Sequence, residues 1–251
     1  MALTEIQAKI VAKLNKLSLG AFADRLKTQF ENPSLYLNLN YEDKLSECIS
    51  ALEEAREQSR FLRLKKGAKL IDNKTLNEIS ANPPTGLSTE TIRYLNSLSW
   101  INNKVENIII TGASGVGKTC LANAIAIAAC KGGFRPIIYK THEVLKMLHA
   151  MNIEDQRSFR DKILRHHVLI LDDFGLFPLS EDILSPLYML IDDRYSKLPI
   201  ILTSQLRKEG IYSWFGKTNA RTEATIDRLM NPSLVIELTG ESRRPKSHRN
   251  F

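Results

Sequence analysis

Cysteine is scarce in this 251-residue chain, with only Cys48, Cys120 and Cys130. They form no CxxC pair and no even set at scaffold spacing, which argues against a disulfide framework or structural zinc and for a reducing compartment. Long apolar runs are missing as well. No stretch approaches the roughly 20 apolar residues that span a bilayer. The N-terminal apolar positions Ile6, Ile10, Val11, Leu14 and Leu17 recur at helical spacing among lysines instead of forming a leader core. The expectation is a cytoplasmic protein with no membrane partner. Internal repeats and low-complexity segments are absent too, so repeat arrays and biased linkers drop out.

What is present is globular in balance, with 43% hydrophobic and 25% charged residues. The formal charge of +7 makes a polyanion the first partner to consider, because clustered Lys and Arg release condensed counterions from phosphates. Up to about Leu70 the pattern is helical, interrupted by Asn32-Pro33. The strongest helix begins near Tyr41, with Leu45, Ile49, Leu52 and Ala55 as one apolar stripe. Arg56, Arg60 and Arg63 share another face, suited either to DNA or to solvent beside Glu53 and Glu57. Pro83-Pro84 stops any helix and marks the expected boundary between a small all-helical N-terminal domain, residues 1–80, and a second domain, residues 81–251. Beyond it apolar runs alternate with amphipathic helices, the texture of an α/β fold whose parallel sheet is covered on both faces. The expected strands are five: Asn107–Thr111, Pro136–Tyr139, Val168–Asp172, Ile200–Thr203 and Leu234–Leu238.

The decisive stretch runs from Asn107 through Ile108-Ile109-Ile110-Thr111 into Gly112-Ala113-Ser114-Gly115-Val116-Gly117-Lys118-Thr119 and on to Cys120. A buried strand, a G-x-x-x-x-G-K-T loop and a helix in that order form a phosphate cradle. The glycines let successive N–H groups face a phosphate and the helix adds its positive end. Lys118 is placed to reach β- and γ-phosphate oxygens, and the Thr119 hydroxyl suits Mg2+. ATP and Mg2+ are therefore the expected cofactors.

Downstream, Val168-Leu-Ile-Leu-Asp172-Asp173 is an apolar strand ending in two acids. Asp172 is the expected metal partner, held directly or through water, and Asp173 the group that orients the attacking water. In Pro199-Ile-Ile-Leu-Thr-Ser204-Gln205 a third strand ends in polar residues, of which Gln205 or Ser204 is suited to sense a γ-phosphate. Asp227-Arg228 ends an amphipathic segment with no partner motif nearby. It suits either an arginine presented to a neighbouring subunit's nucleotide or an intramolecular ion pair.

Gly112–Thr119, Asp172-Asp173-Phe-Gly, Leu202-Thr-Ser-Gln, Asp227-Arg228-Leu-Met and Thr239-Gly-Glu-Ser-Arg-Arg together resemble the AAA+ helper ATPases of insertion sequences, the IstB-like family. The resemblance extends upstream to Leu17-Ser-Leu-Gly-Ala-Phe-Ala-Asp and Leu98-Ser-Trp-Ile, covering nearly the whole chain. DnaC-type replicative helicase loaders share the ATPase motifs and much less of the N-terminal pattern. The resemblance implies a P-loop AAA+ ATPase with a parallel five-stranded sheet flanked by helices, the Gln205 strand lying between the strands of the loop and of the acids. It implies homo-oligomerisation on double-stranded DNA with nucleotide at subunit interfaces, and activation of a partner transposase. By the same carry-over Arg228 acts in trans and Arg244 is a second sensor. Two positions depart from the wider AAA+ pattern, Gln205 standing for Asn and Asp173 for Glu. For DNA contact the expected residues are Arg157, Arg160 and Arg165, with Arg243, Arg244, Lys246 and Arg249 of the tail. The alternative function is a helicase loader acting on single strands.

Overall fold

The computed structural model of the chain describes residues 2–179, 181–216 and 219–243. The chain divides into two compact units, Met1–Arg63 and Leu64–Phe251. In the first, α1 (Glu5–Lys16) starts with a capping box: Thr4 Oγ1 accepts from the Gln7 N–H, and the Gln7 side chain accepts from the Thr4 N–H. There follow α2 (Gly20–Glu31), a 3-10 turn at Pro33–Tyr36, and α3 (Tyr41–Gly67). The apolar stripe expected on α3 is realised only in its second part: Leu52 and Ala55 are half-buried, whereas Leu45 and Ile49 are 38% and 45% exposed and Cys48 is buried instead. Polar contacts from α2 meet that first part: Gln29 Nε2 donates to Lys44 O, and Arg25 pairs with Glu47 at 2.9 Å.

The second unit opens with three short helices, α4 (Leu76–Ala81), α5 (Thr89–Ser97) and α6 (Ser99–Asn102). Strands and helices then alternate: β1 (Asn107–Gly112), α7 (Lys118–Lys131), β2 (Pro136–Lys140), α8 (Thr141–Ala150), α9 (Ile153–Leu164), β3 (Val168–Phe174), α10 (Glu181–Arg194), β4 (Ile200–Ser204), α11 (Lys208–Trp214), α12 (Ala220–Met230) and β5 (Ser233–Leu238). The sheet is parallel throughout, in the order β2-β3-β4-β1-β5. The strand leading to Gln205, β4, thus lies between the P-loop strand and the acidic strand, as the resemblance implies.

Alternation along these strands feeds two separate cores. Ile108, Ile110, Ile170 and Ile201 pack with Leu121 and Ile125 of α7 on one face. Ile109, Leu169, Leu171 and Leu202 pack on the other with Leu148, Ile163, Leu187 and Leu229 from α8, α9, α10 and α12. Burial on both faces is why the three central strands read as unbroken apolar runs. Leu76 and Ile79, upstream of Pro83-Pro84, belong to the α7-side core. The prolines end a helix without ending the packing unit, which begins at Leu64. Among the described residues no helix is long and apolar enough to cross a membrane.

Candidate functional site

β1 ends at Gly112 and α7 starts at Lys118, so the intervening loop is held at both ends by core elements. Val116, 1% exposed, pins its middle. Gly112, Gly115 and Gly117 have φ of 144°, 85° and 109°, backbone that L side chains rarely adopt. Space demands glycine as well: a Cβ would stand 2.2 Å from Leu238 O at Gly112 and 2.2 Å from Ser242 Oγ at Gly115. Lys118, 6% exposed, donates from Nζ to Gly112 O and Ala113 O at 2.8 Å each. The lysine is thus folded over the loop it serves.

The loop forms one wall of a cavity of about 580 Å³. Ser114, Gly115, Gly117, Lys118, Thr119 and Cys120 line that wall; Asp173, Leu176 and Gln205 line the far end; Asp72, Ile79, Asn82, Pro84 and Arg243 line the flank. Arg243 fixes this flank, because its guanidinium donates to Asn82 O and Pro83 O at 3.0 and 2.8 Å and its N–H donates to Gly115 O at 2.9 Å. Cys120 faces Asp72, and burial together with that carboxylate raises the thiol pKa to about 11, so it stays protonated.

The acids sit where β3 departs from regular pairing. Register with β4 shifts between Leu171 and Phe174, and Asp173 takes φ 57°. In an unbroken strand neighbours point to opposite faces; the bulge and the left-handed residue let Asp172 and Asp173 reach one ammonium. Lys140 Nζ lies 2.6 Å from Asp172 Oδ2 and 2.7 Å from Asp173 Oδ2. Burial opposes the Lys140 charge, and the hydrogen bonds to both carboxylates outweigh it, raising its pKa above the ordinary lysine value. Asp172, 1% exposed, takes hydroxyl donors from Thr119, at 2.9 Å, and from Thr203 on Oδ1. Thr203 Oγ1 also accepts from the Asp173 N–H at 3.0 Å. The expected acids and the Thr119 hydroxyl are therefore assembled.

Two residues escaped the sequence reading. Lys140 ends an apolar strand unremarkably, and only the pairing of β2 with β3 puts it beside Asp172. Thr203 reads as a strand terminator. Of the paired candidates at the end of β4, Ser204 is buried, donating to Phe174 O at 2.7 Å and accepting from the Leu206 N–H at 3.1 Å, whereas Gln205 lines the cavity.

A triphosphate fits this cavity: it offers a glycine-lined turn, a helix N-terminus and a buried lysine at one wall. A divalent cation fits beside it, since a hydroxyl and a carboxylate oxygen converge there. The family model described as IstB-like ATP binding protein matches residues 12–250.

The chain belongs to that family. An ATP-binding protein of insertion sequence IS5376 from Geobacillus stearothermophilus is 30% identical over 237 residues, covering 94% of this chain and 93% of its own. The corresponding protein of IS1162 from Pseudomonas fluorescens is 32% identical, covering 78% and 85%. Among solved structures, DnaI matches with a TM-score of 0.57 at 19% identity over 72% of this chain and 100% of its own. AMPPCP-bound DnaA from Aquifex aeolicus matches with a TM-score of 0.51 at 19% identity over 68% and 51%. These two likenesses are of fold. In fold and family this IstB-like chain is a P-loop ATPase of the AAA+ class.

The remaining candidates lie apart from the P-loop cavity or outside the described residues. Arg228, on α12, pairs with Asp192 at 3.0 Å and stacks over Tyr188 and Tyr195, its guanidinium carbon 4.9 and 5.7 Å from the ring centres. Arg160 pairs with Asp193 at 2.8 Å and donates to Met189 Sδ, so it is held on the surface of α10. Arg157 and Arg165 are exposed, and Phe159 between them is a core residue against Tyr139. Arg244, Lys246 and Arg249 fall outside the described residues.

Proposed function

We propose that this chain is an ATP-dependent transposition helper. It binds Mg-ATP in the P-loop cavity, oligomerises on double-stranded DNA in the cytoplasm with nucleotide at subunit interfaces, and recruits and activates a partner transposase, with hydrolysis as the switch. The observation that carries the reading is the convergence of the Gly112–Thr119 loop and Asp173 on one cavity, with buried Asp172 bonded to the Thr119 hydroxyl, in a chain whose residues 12–250 match the family. The association with transposition rests on relatives named for insertion sequences.

In this mechanism the loop amides between Ala113 and Thr119 hold the β-phosphate, and Lys118 leaves the carbonyls of Gly112 and Ala113 for the β- and γ-phosphate oxygens. Thr119 and Asp172 would hold Mg2+, which when bound neutralises charge on the phosphates. Asp173 accepts a hydrogen bond from the attacking water and orients it; Gln205 hydrogen-bonds the γ-phosphate. Arg228 serves a neighbouring subunit's nucleotide by exchanging Asp192 for phosphate, and Arg244 serves as second sensor. The DNA-facing residues are Arg157, Arg165 and the basic tail beyond Arg243, because Arg160 is already paired to Asp193 and the Arg243 guanidinium is held by Asn82 and Pro83.

Two measurements test this. Lys118→Ala should weaken binding of a fluorescent, non-hydrolysable ATP analogue by about tenfold or more, the range for losing charge-assisted phosphate contacts; undiminished binding would overturn the nucleotide assignment. Fluorescence anisotropy with the analogue present should show preference for duplex over single-stranded DNA of equal length. Preference for the single strand would favour the helicase-loader reading.

A further inference from the structure

Lys140 ends β2 in register with Asp172 and touches both acids. The oxygens of Asp172 are divided: Oδ1 takes the hydroxyls of Thr119 and Thr203, Oδ2 takes the ammonium. With Asp172 only 1% exposed, a metal ion drawing on that carboxylate beside Thr119 shares its charge with the Lys140 ammonium, 2.6 Å from Oδ2. The acid side is fixed. Asp173 is held by left-handed backbone and by its N–H on Thr203, and Asp172 by its two hydroxyl donors. The lysine side is movable, because its side chain is 31% exposed on a flexible four-carbon stem.

We propose that Lys140 is the resident counter-ion of the Asp172–Asp173 pair and that Mg2+ loads the site by displacing its ammonium, so that Lys140 sets the Mg2+ concentration at which nucleotide is held. The inference rests on the nucleotide reading above and adds to it a residue that does no chemistry on the phosphates. Two carboxylates brought together by a bulge repel each other unless a cation lies between them. The ammonium supplies that cation from within the chain, and a divalent ion replaces it with a larger charge. P-loop chemistry requires the threonine and the acid; the tethered ammonium is additional to both.

The test compares the parent with Lys140→Met and Lys140→Arg, following binding of the fluorescent non-hydrolysable ATP analogue as MgCl2 is raised from an EDTA-treated start. Thermal unfolding is recorded in parallel with MgCl2 alone. Lys140→Met should reach half-saturation at about fivefold lower Mg2+, the scale of one partly screened charge at contact distance. Without nucleotide it should melt earlier than the parent in EDTA and recover with MgCl2. Lys140→Arg, which keeps the charge, should follow the parent. A folded Lys140→Met whose Mg2+ dependence superimposes on the parent's overturns the proposal, as does Lys140→Arg behaving like Lys140→Met, since shape and not charge would then be responsible. Should Lys140→Met fail to fold, Lys140→Gln, which keeps hydrogen-bond donors without charge, is subject to the same comparison. A parent protein that binds no analogue at any Mg2+ concentration overturns the nucleotide reading itself, a result distinct from an unshifted variant.

Discussion

Gly115 shows how little freedom the phosphate cradle leaves to a single residue. Its φ of 85° lies where a side chain is strained, and the space a Cβ needs is filled by Ser242. Ser242 adjoins Arg243, whose main chain and guanidinium tie the segment after β5 to the loop and to Asn82 and Pro83. Gly115→Ala must therefore either rotate the peptide that faces the phosphate or push Ser242 away. The backbone strain is on the order of 1–2 kcal/mol before the clash is counted. The expected outcome is a loss of about tenfold or more in affinity for the ATP analogue, with the far-ultraviolet circular dichroism unchanged; calorimetric titration of parent and variant checks both. Gly117→Ala is the control, since a Cβ there meets nothing closer than 3.8 Å and only the backbone strain applies. Arg194 illustrates the opposite use of a charged residue. It is fully buried and gives two hydrogen bonds each from Nη1 and Nη2 to the carbonyls of Ile163, His166, His167 and Pro199. It holds the turns leading into β3 and β4, and through them the strands that carry Asp172 and Thr203.

At the scale of elements, the junction of β3 with β4 decides what the acids can do. Thr203 accepts from the Asp173 N–H and donates to Asp172, so one hydroxyl fixes the bulge and one of the carboxylates it presents. Thr203 is fully buried, and Thr203→Val keeps its shape while stranding the Asp173 N–H. The expected cost is about 1–3 kcal/mol, the penalty for an unsatisfied buried donor, read as a lower urea midpoint with unchanged slope. ATP turnover should fall more than nucleotide binding, because Asp173 loses its fixed backbone while the cradle is untouched. The strands themselves were legible in the sequence to within a residue or two. Unbroken runs such as Ile108-Ile109-Ile110 and Leu169-Ile170-Leu171 are what burial on both faces requires. The cradle was legible because its chemistry depends on residues adjacent in sequence. The bulge was not, since Asp172-Asp173 reads equally well as a regular strand end, and Lys140 was not, since its role exists only through the register of β2 on β3. Of the α3 stripe, Leu52 and Ala55 are half-buried while Leu45 and Ile49 are exposed; in that first part Gln29 and Arg25 meet the helix by polar contacts that hydrophobic periodicity does not register.

For the whole molecule the proposed DNA contact turns on which positive charges are available to phosphates. The net charge of +7 states only that a polyanion is attracted, and the basic residues of α9 looked equivalent in sequence. In the structure they are not. Arg160 is bound to Asp193 and to Met189, whereas Arg157 and Arg165 are exposed. Counterion release gives the two classes different signatures, since an arginine on a phosphate contributes to the salt slope and one paired within the fold contributes to stability. Arg157→Gln with Arg165→Gln should lower the slope of log affinity for duplex DNA against log salt by about 1.8, at about 0.9 per phosphate contact, and leave thermal stability within about 0.5 kcal/mol, as for other surface changes. Arg160→Gln should leave the slope alone and lower the melting temperature, because Asp193 is deprived of its partner. Anisotropy across a series of KCl concentrations, with melting curves on the same samples, separates the two effects. A slope unchanged in the double variant would remove α9 from the interface and leave the basic tail to carry the contact.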